Sequence, residues 1–236
     1  MKYLLLFAPL ALAACADSEP EPAPTPTPTI AQPRALAAAD LDLSTLGAKI
    51  VGPQGTEVET VLSAGNREIG KMVSFVACPQ GIVDCKPGEM PEGTIYTYVH
   101  QVTLADALAG AEATDAAEGT ASPAGPEVVE NPPTLFRTTE KAHGFNRAVG
   151  YSVAQAREAL GGEDAIAITV DDGRLIWRVV EGGGWKPGTT LTFWWQSTLP
   201  PAGPAEAYLI EVEGNQASAL GPFPAKEKPA GEAPAN

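Results

Sequence analysis

AIAITVDDGRLIWRVV, residues 165 to 180, reads as two strands joined by a two-residue turn at Asp172-Gly173. Such a turn needs left-handed backbone at both central positions, which Asp tolerates and Gly adopts freely. Folding the stretch there sets Val170 opposite Leu175, Ile168 opposite Trp177 and Ile166 opposite Val179. Every large apolar side chain of those pairs then lies on one face, so turn chemistry and hydrophobic pattern agree on an antiparallel hairpin with one buried side.

Working outward, AYLIEVEGNQASAL (207–220) fits a second hairpin turning at Gly214-Asn215, with Ile210 opposite Ala219 and Val212 opposite Ala217. Between the two hairpins WKPGTTLTFWWQS (185–197) supplies a strand that starts after Pro187-Gly188. Its alternation sends Leu191, Phe193 and Trp195 to one face and Thr190, Thr192, Trp194 and Gln196 to the other. Trp177 and Trp195 are therefore expected in the core. Trp185 falls in the loop GGGWKPG, and Trp194 either lies on a binding face or is covered by Val153 and Leu160 of a helix packed outside the sheet.

Upstream, TEVETVLSAGNREIGKMVSFVAC (56–78) reads as a hairpin about Gly65-Asn66, and TIYTYVHQVTL (94–104) as a long β-branched and aromatic strand. One helix is expected in SVAQAREALGG, with Ser152 as N-cap, Gln155 at the capping-box position and Gly161 as stop. Many closely spaced strands and one short helix predict a mainly β fold, an antiparallel sandwich, behind a long disordered N-terminal linker. The stretch WKPGTTLTF and the hairpin after it resemble the Pro-Gly turn and later strands of immunoglobulin-like and fibronectin type III modules. That resemblance covers the last quarter of the chain and implies an immunoglobulin-like sandwich.

The N-terminus follows different rules. MKYLLLFAPLALAAC has a basic Lys2, an apolar run too short to span a bilayer, and small residues before Cys15, the pattern of a signal peptide over residues 1–14. Leu12-Ala13-Ala14-Cys15 resembles the lipobox of bacterial lipoproteins, which implies cleavage before Cys15 and a lipid anchor on its thiol. By resemblance to enterobacterial sorting, Ala16 after the cysteine implies the outer membrane, with the body facing the periplasm or the cell surface. An ordinary cleavage at Ala11-Leu12-Ala13 would instead leave Cys15 a free thiol.

Residues 15–39 then form a Pro-rich spacer whose composition favours extended polyproline geometry, with a reach on the order of 60 Å. The body is expected over 40–224 and a frayed tail over 225–236. An Ala-, Gly- and acid-rich insertion at 105–133 divides the body into possible halves, 40–104 and 134–224.

Fifteen basic against twenty-nine acidic residues give a net charge of −14, which argues against nucleic acid as a partner. With Cys15 assigned to the anchor, Cys78 and Cys85 remain as a pair, expected as a disulfide in an oxidising compartment.

Catalytic patterns are weak. Gly150-Tyr151-Ser152-Val153-Ala154 resembles the nucleophile elbow of α/β-hydrolases, but both histidines, His100 and His143, precede Ser152, opposite to that family's order, and a helix cap explains the serine. His100 sits on a strand face with Tyr96, Tyr98, Val102 and Leu104, where packing is expected. Asp171 and Asp172 serve the turn. The histidines form no metal-ligand spacing, and no cofactor or metal is called for.

The binding candidates are Trp185, Trp194 and Gln196, with His143 and Arg147 in the loop KAHGFNR. The expectation is a lipid-anchored, non-enzymatic envelope module for a protein or glycan partner. The alternative is an envelope hydrolase acting on peptidoglycan or polysaccharide through a carboxylate pair.

Overall fold

A computed structural model of the chain describes residues 33–106 and 134–226. The expected signal segment, Cys15, the spacer up to residue 32, nearly all of the insertion and the end of the tail lie outside the described residues. Among the described residues no helix is long and apolar enough to cross a membrane.

The chain is mainly β, in two curled sheets. The first has six strands, in the spatial order β1 (Arg34–Leu36), β9 (Ile166–Asp171), β10 (Arg174–Val179), β7 (Thr134–Thr138), β12 (Pro201–Val212) and β13 (Asn215–Pro224). The second runs β2 (Ala39–Asp40), β8 (Phe145–Tyr151), β11 (Thr190–Ser197), β6 (Tyr96–Leu104), β5 (Arg67–Pro79) and β3 (Leu46–Lys49), with β4 (Val58–Ala64) also paired to β5. Strands from both sides of the insertion interleave, since β8 and β11 lie between β2 and β6. Among the described residues all pairings are antiparallel except β2 with β8.

The 165–180 hairpin has the register its sequence dictates: Val170 meets Leu175, Ile168 meets Trp177 and Ile166 meets Val179. Asp172 and Gly173 carry the turn at φ 45° and 78°. The hairpin about Gly65-Asn66 also forms, with Ala64 paired to Arg67.

The last hairpin differs from expectation. Its turn is Glu213-Gly214, at φ 51° and 75°, so Val212 meets Asn215 and Ile210 meets Ala217 rather than Ala219. Asn215 leaves the turn and its side-chain amide instead donates to the Val212 carbonyl at 3.3 Å. The shift is two residues, so the inward faces of both strands are preserved.

A continuous apolar core fills the space between the sheets. Its centre is aromatic: Phe136 stacks on Phe193 with centroids 4.6 Å apart, and Tyr98 stacks on Trp195 at the same separation. Trp177 is fully buried against Phe136, its indole N–H donating to the Gly150 carbonyl of the opposite sheet at 3.0 Å. At one side the Thr60 hydroxyl of β4 donates to the Leu220 carbonyl of β13 at 2.7 Å, tying the two sheets together.

The helix α1 (Val153–Leu160) is capped by the Ser152 hydroxyl, which accepts from the Gln155 N–H, and ends at Gly161 in the left-handed region. Cys78 and Cys85 form a disulfide at the end of β5, both sulfurs in the core.

The N-terminal stretch is not all spacer. Residues 34–36 join the first sheet as β1, and three residues after Leu36 the chain reaches β2, an edge strand of the second. Residues 34–41 thus form a strap that bridges the two sheets.

Candidate functional site

The segment Lys141–Arg147 leads from the loop after β7 into the first residues of β8 and is pinned from several sides. The Ala142 N–H donates to the Gly173 carbonyl at 2.8 Å, the Ser197 hydroxyl donates to the His143 carbonyl at 2.8 Å, and the Thr198 N–H donates to the Gly144 carbonyl at 2.9 Å. Gly144 has φ 66°, and a Cβ there would press on the Ser197, Leu199 and Thr198 side chains, so glycine is required on two counts.

Immediately after, β8 bulges. Phe145 pairs with Ser197 and Val149 with Trp195, leaving three residues, Asn146 to Ala148, opposite Gln196. The Asn146 side chain holds the bulge, accepting from the Ala148 N–H at 2.9 Å and donating to the Gln196 side-chain oxygen at 3.1 Å. Gln196 in turn donates to the Thr97 hydroxyl at 3.2 Å. Arg147, inside the bulge, is held at φ 77°. A non-glycine residue in that region costs on the order of 1–3 kcal/mol and persists only where its surroundings impose it. Bulges of this kind re-aim side chains out of the strand alternation.

Arg147 lines a cleft of about 420 Å³ together with Arg34, Lys141 and His143. Leu36, Phe145 and Val170 supply its apolar wall. Lys141 lies 2.9 Å from the Asp172 carboxylate, whose pKa is held below the usual range first by the hydrogen bond from that lysine and then by its charge. Among the described residues neither Arg34 nor Arg147 has an ion-pair partner. In a chain of net charge −14, two guanidinium groups and an imidazole, beside a Lys141 already paired with Asp172, make this opening a local reversal of sign. The arrangement can bind an anion by charge-assisted hydrogen bonds.

The expected binding residues are thus divided. His143 and Arg147 come together in the cleft, and Gln196 supports it from the neighbouring strand. The tryptophans are elsewhere. Trp185, expected in an open loop, is 4% exposed, edge-on to Phe193, with its N–H donating to the Thr189 hydroxyl at 3.1 Å.

Trp194 does face away from the main core, as strand alternation requires, but it is 7% exposed. It packs with Phe75, Ala77 and Val99 on the outer face of the second sheet, against Leu41 and Ala148. Its cover is the strap, not α1: the indole N–H donates to the Ala39 carbonyl at 3.2 Å. The strap fits because Gly150 lies beneath it, where a Cβ would collide with that same carbonyl. Asp40 fastens it further, its carboxylate accepting from the Val153 N–H at the start of α1 at 2.9 Å.

A second cavity of about 250 Å³ lies at the β3–β4 loop and is largely apolar, with Val51, Phe75, Pro201, Pro204 and Pro222 around it. Ser74 reaches its wall, and the Ser74 hydroxyl is 2.9 Å from the Nδ1 atom of His100. This pair is not arranged for nucleophilic catalysis. His100 is fully buried under Tyr208, with ring centroids 4.1 Å apart, and burial lowers its pKa to about 3, so the neutral imidazole is a feeble base.

A third cavity, of about 230 Å³, lies on the outer face of the second sheet beside Leu43, Leu46 and Phe75. Among the acids lining these three cavities stands only Glu57, engaged with Lys49 at 2.5 Å. Among the described residues no group of three or more His, Cys, Asp or Glu side chains is placed to hold a metal ion.

Arg34 and Lys141 complete the cleft but were not singled out by sequence reasoning. Lys141 opens the KAHGFNR segment, whereas Arg34 lies in a Pro- and Ala-rich stretch with no periodicity to mark it. Comparison with protein-family models, with curated proteins and with solved structures finds no match to this chain.

Proposed function

We propose that this chain is a lipid-anchored envelope protein, held at the outer membrane through Cys15, whose β-rich body is a non-enzymatic binding module for a protein or glycan partner. The observation that carries the binding reading is the cleft: Arg147, held at positive φ in a bulge, beside Arg34, Lys141 and His143. A backbone strained to place a cation among other cations is expensive unless something negative is received there. The anchor rests on the lipobox resemblance and the Pro-rich spacer that follows it. The Cys78–Cys85 disulfide agrees with an oxidising envelope compartment. An immunoglobulin-like sandwich is the proposed class of architecture, supported by the Pro187-Gly188 turn into β11 and a core shared by two sheets.

Affinity capture from detergent-solubilised envelope tests the binding reading. The full chain should retain a partner that Arg147→Ala loses, while Lys71→Ala, an exposed cation outside the cleft, retains it. Equal capture by both variants would remove the cleft as the docking site. Metabolic fatty-acid labelling tests the anchor: Cys15→Ser should abolish the label, and undiminished labelling would remove the lipid claim.

A further inference from the structure

We propose that the cleft binds a phosphorylated sugar and that its occupancy clamps the N-terminal strap onto the body. The inference rests on the reading of the cleft as a binding site and names the ligand and its consequence.

The ligand class follows from the donors and the shape. Two guanidinium groups and an imidazole, beside a lysine already paired with Asp172, offer more N–H donors than the two oxygens of a carboxylate can use, which suits the three free oxygens of a phosphate monoester better. About 420 Å³ is far more room than a bare anion fills, and the apolar wall of Leu36, Phe145 and Val170 offers a surface for the C–H groups of a sugar.

The clamp follows from which elements own the cations. Arg34 belongs to β1, a strand of three residues held by pairing with β9, whereas Lys141, His143 and Arg147 belong to the segment that enters β8. Like charges contributed by the strap and by the body repel when the cleft is empty and are bridged when a dianion lies between them. The strap continues from β1 into β2, where Ala39 pairs with Gly150 and covers Trp194. A ligand that favours the docked strap must, by linkage, bind more weakly when the strap is displaced.

Gly150→Ala provides that displacement without altering a cationic residue, because its Cβ takes the place of the Ala39 carbonyl. The experiment uses the full chain in non-ionic detergent micelles. Calorimetric titrations with glucose 6-phosphate, glucose and inorganic phosphate are combined with hydrogen exchange of residues 34–41. Glucose 6-phosphate should bind saturably and more tightly than inorganic phosphate, and glucose should not bind. Arg34→Ala and Arg147→Ala should each weaken it about ten-fold, the loss of one charge-assisted contact. Bound ligand should slow exchange in the strap, and Gly150→Ala should weaken binding several-fold while circular dichroism shows an intact fold.

Inorganic phosphate binding as tightly as the sugar phosphate would overturn the sugar class. Binding of glycerophosphoglycerol, the soluble headgroup of phosphatidylglycerol, in the same titration without binding of glucose 6-phosphate would overturn it in favour of a lipid headgroup. Unchanged strap exchange, or full affinity in Gly150→Ala, would overturn the clamp. Partner capture that still depends on Arg147, with no sugar phosphate bound, would defeat this inference and leave the broader binding function standing.

Discussion

The two neighbouring tryptophans of β11 occupy opposite kinds of interior. Trp195 is fully buried in the core that both sheets build, stacked on Tyr98 and flanked by Phe145 and Phe223. Trp194 is nearly as buried, but one side of its surroundings is a strap attached through the three-residue pairing of β1 with β9, a two-residue parallel strand, one indole hydrogen bond and the Asp40 contact to α1. Equal burial therefore conceals unequal cooperativity. Exposing Trp195 requires separating the sheets, whereas exposing Trp194 requires only that the strap lift, a local opening well below global unfolding in cost.

The largest effect should come from the shared core. Trp195→Ala removes a fully buried ring with no mobile cover to collapse into the space, and should cost about 3–5 kcal/mol of unfolding free energy in a urea titration. A loss under about 1 kcal/mol would mean the core is not the common structure of both sheets.

Next in size is the disulfide that closes the end of β5. Replacing both Cys78 and Cys85 by Ser should cost about 2.5 kcal/mol, from the loop-closure entropy of an eight-residue loop. In the native protein both thiols should resist alkylation until reductant is added. Alkylation of freshly prepared protein without reductant would count against the bond and the oxidising compartment alike.

How much of this contrast was legible beforehand depends on the range of the interaction. The 165–180 hairpin was readable to the residue because a two-residue turn and the period-two pattern constrain each other. The 207–220 hairpin was readable only as a hairpin, because Gly214 can occupy either central position of the turn and Ala217 and Ala219 are equally suitable small partners. Strand alternation correctly separated Trp194 from Trp195. It could not say what covers Trp194, because the cover is Ala39, from a stretch whose residues carry neither bulk nor period, brought in by a parallel pairing across more than a hundred residues. The cleft was half visible: KAHGFNR drew attention as a polar loop, but the bulge that turns Arg147 into it depends on the register of β8 against β11, and Arg34 arrives from the far end of the chain.

On the core side there is also a pH dependence, gauged by its slope rather than by a single loss. With its folded pKa lowered by burial to about 3 from an ordinary 6.5, His100 is neutral in the fold and takes a proton on unfolding. Between those two values the unfolded chain binds more protons, so stability is intact above about pH 6.5 and falls as pH drops through the window, by at most about 1.4 kcal/mol per unit. Replacing the pair together, Ser74→Ala with His100→Leu, removes donor and acceptor at once and should flatten that part of the profile. The same slope between pH 4 and 6 in the double variant would show that other groups carry it.

The smallest losses should come from the strap, and Trp194→Ala sharpens the comparison most. Losing the ring removes contacts with Phe75, Val99 and Leu41 and the indole bond to Ala39, but the strap can settle or detach, so the loss is bounded by the free energy of docking it. We expect about 1–2 kcal/mol, below the range for a core ring that cannot be relieved. Asp40→Ala should act on the same bound from the other end, costing about 1 kcal/mol through the lost contact at the start of α1. If both substitutions merely free the strap, they cannot add: the double variant should cost little more than the larger single one. Fluorine NMR of protein labelled with 5-fluorotryptophan, with the Trp194 signal identified by its loss in Trp194→Phe, follows the opening directly. In Asp40→Ala that resonance should shift toward solvent-exposed values while the other three tryptophan signals stay fixed. Full additivity of the two substitutions, or four resonances moving together, would show that the strap belongs to the same cooperative unit as the core.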